Sequence, residues 1–124
     1  MSQAAFPERE STQAIVGEKL SAVTFVLDYW QFQFDGSNIN ALTRVEVESG
    51  GSVVKDGDDQ FRNRLCEQIG KIVAKVDVRA EAIFIGFKDQ TSISISLREQ
   101  DYRGPEGAIC YGKGMKTFRV FRGD

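Results

Sequence analysis

Apolar residues recur along most of the chain with the period of β-strands. Trp30, Phe32 and Phe34 alternate with Gln31 and Gln33, and Ile93, Ile95 and Leu97 alternate with Ser92, Ser94 and Ser96. Successive side chains of a strand point to opposite faces, so each stretch predicts a strand with one buried and one wet face. Two other stretches, Leu20-Val23-Phe25-Leu27 and Val73-Val76-Val78, step by three and then by two. That is a period-2 strand with one extra residue, and it predicts β-bulges near Ser21-Ala22 and Ala74-Lys75. Turns follow at Asp35-Gly36-Ser37-Asn38, where Gly36 tolerates a positive φ, and at Lys88-Asp89-Gln90-Thr91, which has no glycine.

These stretches form two similar series. With Gly17 set over Gly70, an offset of 53, Leu20 meets Val73, Val23 meets Val76 and Phe25 meets Val78. Trp30, Phe32 and Phe34 fall on Ile83, Ile85 and Phe87. After a one-residue insertion, Ile39 and Ala41 fall on Ile93 and Ile95. The pattern predicts two pseudo-repeated β-meanders over about 15–42 and 68–97.

Between them, Val45-Glu46-Val47-Glu48, the turn Ser49-Gly50-Gly51-Ser52 and Val53-Val54 predict a hairpin. Phe61, Leu65, Cys66 and Ile69 lie on one helical face, predicting a helix over 58–70 capped by Asp58 or Asp59 and closed by Gly70. A short helical turn at Ser11–Val16 would be its counterpart before Gly17. Residues 98–107 read as a long loop and Thr117–Arg122 as a last strand. The fold class expected is α+β: a mostly antiparallel sheet or bent roll made of the two meanders, with one packed helix. Trp30, Phe32, Phe34, Ile83, Ile85, Phe87, Ile93, Ile95 and Leu97 should lie in its core. Residues 1–10 read as a disordered leader and 11–124 as one domain.

Composition narrows the function more than it names it. The 124 residues carry 16 Lys+Arg against 18 Asp+Glu, no histidine and two cysteines. The missing histidine removes Ser-His-Asp and Cys-His catalysis, histidine metal sites and histidine pH switches. Cys66 and Cys110 form no Cys-x-x-Cys pair, which predicts buried thiols rather than zinc, iron–sulfur or redox chemistry. No run approaches a membrane span and Met1–Glu10 has no secretory apolar segment, so a cytoplasmic protein is expected, with no cofactor and no membrane.

The motifs that resemble chemistry are each better explained by structure. Asp56, Asp58 and Glu67 match three EF-hand positions, but Phe61 stands where the loop needs glycine. Glu46 and Glu48 alternate with valines, as on any half-solvated strand. Lys113, Lys116, Arg119 and Arg122 interleave with Phe118 and Phe121, a pattern that can hold single-stranded nucleic acid; a terminal strand with core-facing phenylalanines and solvated cations accounts for it better, and nucleic acid is not the expected partner. The apolar side chains on both faces of that strand predict a homodimer built on the tail. The candidate contact residues are Asp101, Tyr102, Arg103 and Glu106, in a long loop after a well-defined strand. Arg103 suits a carboxylate or phosphate and Tyr102 an aromatic anchor. The alternative is a chain reversal fixed by Gly104-Pro105, with Glu106 paired to Arg103.

Phe34-Asp35-Gly36, the helix segment Phe61–Gly70 and Ser96–Gly107 with its Gly-Pro-Glu resemble small uncharacterised bacterial domains, some of which are similar to immunity proteins of bacterial toxin systems. The resemblance implies no established activity or site residue. The expectation is therefore a non-catalytic module that binds a protein partner or its own second copy. The alternative is a small-molecule binder or carboxylate-based enzyme using the 101–107 loop.

Overall fold

The structure is a computed structural model describing residues 13–112 and 117–122, with the side chains of 117–119 excluded. The strands are β1 (Leu20–Val26), β2 (Tyr29–Phe34), β3 (Asn38–Ala41), β4 (Val45–Ser49), β5 (Ser52–Lys55), β6 (Val73–Val78), β7 (Ala82–Phe87), β8 (Ser92–Ser96), β9 (Glu106–Tyr111) and β10 (Thr117–Arg122). Among the described residues a short helix, α1 (Phe61–Cys66), lies between β5 and β6, and a turn of 3₁₀ helix spans Glu99–Asp101. All strand pairs are antiparallel, in two five-stranded sheets ordered β1-β2-β3-β9-β10 and β5-β4-β8-β7-β6. The class is α+β with strands dominant.

The two sheets arise because each meander sends its next hairpin to the other. β4–β5 pairs with β8, and β9–β10 pairs with β3. Where the chain crosses, the Leu42 N–H donates to the Gly107 carbonyl and the Ser96 N–H to the Arg44 carbonyl, both at 2.9 Å. Thr43, buried at the crossing, donates its hydroxyl to the Ser96 carbonyl. The inward faces of both sheets meet in one apolar core that includes Trp30, Phe32, Phe34, Ile83, Ile85, Phe87, Ile93 and Ile95, with Leu97 packed at its margin.

The starts of β1 and β6 meet at a bridge between Lys19 and Ile72. Around it, Gly17 N–H donates to Val73 and Gly70 N–H to Leu20, while Leu20 N–H donates to Lys71 and Val73 N–H to Glu18. Gly17 and Gly70 have φ of 91° and 97°, a left-handed conformation in which side chains are strained. The bulges fall at Leu20/Ala22 and Val73/Lys75, where the hydrophobic spacing placed them.

Several local expectations are corrected. The helix covers only Phe61–Cys66, and its N-cap is Gln60. The Asp58 carboxylate instead accepts the Lys55 N–H at 2.8 Å, closing the turn after β5. Beyond Cys66, the Gln68 and Ile69 N–H groups bond three residues back, tightening the chain before Gly70 turns it into β6. Gly36 does not use a positive φ; Gln90 does, at 72°, because the β7–β8 turn has the extra residue. Residues 106–107 belong to β9, which separates β3 from β10. The expected leader over 1–10 lies outside the described residues, as do Lys113 and Lys116.

Candidate functional site

Of the four residues singled out from sequence, Asp101, Tyr102 and Arg103 lie between β8 and β9 and Glu106 opens β9, and the structure sends their side chains in different directions. Asp101, at the end of the 3₁₀ turn, accepts the Ser96 hydroxyl at 2.6 Å and lies 3.9 Å from Arg44. Ser96 in turn accepts the Arg98 N–H at 3.1 Å, so this side of the loop is tied to β8. Tyr102 lies over Gly107. A Cβ built there would come within 2.8 Å of the phenolic oxygen, so the glycine is needed for close approach. Arg103 reaches the opposite way, donating to the Asp28 carbonyl at 2.7 Å and standing 3.8 Å from Asp56. Glu106 pairs with Arg122 at 3.4 Å, not with Arg103. The loop is thus fastened at three points.

A cleft of about 490 Å³ opens beside the Asp101 anchor on the outward face of the second sheet. Its floor is Ser94 and Ser96; Arg44, Arg79 and Arg98 line it together with Glu46 and Glu81. The arginines hold carboxylates only loosely there, Arg98 lying 3.7 Å from Glu81 and Arg44 3.9 Å from Asp101. Arg79 lies over the Phe84 ring and 3.2 Å from Asp77. The lining has three cations and two anions, so it is polar and nearly balanced. Among the described residues no three His, Cys, Asp or Glu side chains are placed to hold a metal ion. Nor does any helix there have the length and apolarity to cross a membrane.

A different surface is apolar. β1 and β2 are joined by the two residues Leu27 and Asp28. Leu27 has φ 37° and is 88% exposed, and Phe25 just before it is 48% exposed. Phe25 rests on Trp30, ring centroids 4.5 Å apart, under the Arg62 guanidinium. Trp30 meets Phe61 edge-on and donates its indole N–H to Asp56 at 3.3 Å. Arg103 therefore supports this tip from behind, through Asp28 and Asp56. Sequence reasoning missed the tip because Leu27-Asp28 has Leu where a two-residue hairpin turn usually has Asn, Asp or Gly; the uncharged run Leu20–Leu27 was the available signal.

Among the described residues nothing pairs with the edge leading to the tip. β1, β5, β6 and β10 are edge strands, and β5, β6 and β10 carry Lys55, Lys75 with Asp77, and Arg119 with Arg122. β1 alone has no charge. Val23 pairs with Phe32 as Val76 pairs with Ile85. At Val76 the outward carbonyl of β6 is capped by the Gln13 side-chain amide at 2.6 Å. Among the described residues no hydrogen bond caps Val23 or Phe25, whose backbone groups turn out in the same way.

A titratable group with a marked shift lies elsewhere, in the β7–β8 turn. The Lys71 ammonium and then the Thr91 hydroxyl lower the Asp89 pKa to about 2. No protein-family model, curated protein or solved structure matches the chain.

Proposed function

We propose that the protein is a non-catalytic docking module that recognises another protein through the β1 edge and the β1–β2 tip. The observation that carries this reading is Leu27: a large apolar side chain almost wholly in water, on a backbone conformation that disfavours it. A left-handed Leu costs about 1–2 kcal/mol, and such strain clusters at functional sites. Beside it runs an uncharged edge of the kind that proteins otherwise blunt with charge, proline or a cover. An immunity-like role toward a toxin is one biological setting for such a surface. Asp101, Tyr102, Arg103 and Glu106 then serve mainly as fasteners, with Arg103 setting the tip.

A second reading follows from the cleft. Arg44, Arg79 and Arg98 could close on a small carboxylate or phosphate compound, with Ser94 and Ser96 as donors and Asp101 positioning Arg44. The apolar tip has no role in that reading.

Two further proposals accompany the first. The chain is two copies of one unit, supported by the matched glycines, bulges and reciprocal bonds between 17–20 and 70–73. The setting is a reducing cytoplasm, supported by an exposed free thiol at Cys66 and a second free thiol at Cys110.

The docking reading is tested with a photo-crosslinking amino acid at Leu27 and, as control, at exposed Asp59, both in cells of the native host. A discrete protein adduct at 27, absent at 59 and suppressed by Thr24→Lys, is expected. Equal labelling at both positions would overturn the reading.

A further inference from the structure

Resting on the docking reading, we propose that the occupant of the β1 edge is a second copy of this chain, paired antiparallel through β1 about a two-fold axis at Thr24. Val23 and Phe25 turn their N–H and C=O groups outward on either side of Thr24. With the axis there, Val23 of each copy faces Phe25 of the other. All four exposed donor–acceptor sets are then used, without enlisting the bulge at Ser21 or the turn at Leu27. An axis at Val23 or Phe25 would have to use one of those irregular positions.

Charge favours the same partner. Leu20–Val26 contains no ionisable residue, so self-pairing sets no like charges opposite each other. Asp35 holds the start of the strand through Ser21, and Arg62 covers Phe25 near its end. Lys19 stands with Asp35 at the start and Asp28 with Arg62 at the end, so antiparallel pairing sets each charge within reach of an opposite one on the other copy. The two first sheets then join into one continuous ten-stranded sheet, and each exposed Leu27 lies beside the other copy's Ser21. This interface differs from the tail-strand dimer expected from sequence, since β10 is an edge that carries Arg119 and Arg122.

Thr24 is exposed and lies exactly opposite itself in this arrangement, so one position decides the matter. Light scattering on the full chain should give twice 13.8 kDa at high micromolar concentration. Thr24→Lys and Thr24→Asp, each checked for fold by circular dichroism, should weaken association about tenfold or more, and their equimolar mixture should restore it. Thr24→Cys in a Cys66→Ser background should oxidise to a covalent dimer even if a charged variant fails to fold. A wild-type monomer at every concentration, or association indifferent to both charges, overturns the proposal. In that event a Leu27 adduct to a different protein leaves the docking reading standing, and the absence of any adduct removes that as well.

Discussion

Replacing Asp89 by Asn should destabilise the protein at neutral pH and leave the variant nearly equal to wild type in strong acid. Lys71 lies 2.8 Å from the Asp89 carboxylate, which also accepts the Thr91 hydroxyl at 2.6 Å and the Thr91 N–H at 3.1 Å. Behind them sits Gln68, fully buried, with its side-chain oxygen within reach of Lys71 and Thr91. These contacts lower the Asp89 pKa from 3.8 to about 2. At about 1.4 kcal/mol per unit that shift corresponds to roughly 2.5 kcal/mol. The side chain is 49% exposed, so solvent screening reduces the figure to about 1 kcal/mol. Because the folded pKa is depressed, this stability is present above the unfolded pKa and is lost as pH falls from about 4 through about 2. For a chain of this length, about 1 kcal/mol is about 3–5 °C in Tm. Thermal unfolding of wild type and Asp89→Asn at pH 7 and pH 2 should give that gap only at pH 7. An equal gap at both pH values, or none at pH 7, would refute the charge-based account of the turn.

Other substitutions test the rest of the structure. Phe32→Ala removes a fully buried ring at the centre of the core and should cost about 3–5 kcal/mol in denaturant unfolding. Gly107→Ala should displace the Tyr102 ring and raise amide exchange across 98–105 while β8 stays protected. Leu27→Asn relieves the left-handed backbone and should raise stability by about 0.5–1 kcal/mol, while weakening docking measured by crosslinking yield or association.

The strands were legible where one face is wet. β2 and β8 alternate cleanly, and both bulges were written in the three-then-two spacing. β9 was not, because Ala108 and Cys110 face the core while Ile109 and Tyr111 are half-buried, so polar alternation is missing. Helix length also escaped the pattern: Ile69 completes a helical face in sequence, yet the Gly70 N–H is taken by Leu20, and this tertiary bond ends the segment early. Two separate sheets, rather than one bent one, depend on where the β4–β5 and β9–β10 hairpins pair, and local periodicity carries no such information. The charges of the 98–107 loop could be read from the sequence, but not their anchors. Asp56, Asp28 and Arg122 are far from it in sequence, so the charges could not be followed to their partners.

Amide hydrogen exchange at Val23 and Phe25, read residue by residue over a concentration series of the wild-type protein, tests the β1 edge most directly. Both N–H groups point away from β2, so a dilute chain should exchange them far faster than Ala22 and Thr24, which face it. Pairing at the edge predicts that protection of Val23 and Phe25 rises with concentration while the other edge strands stay unchanged. Fast exchange at both residues at every concentration would contradict pairing of the β1 edge with a second copy.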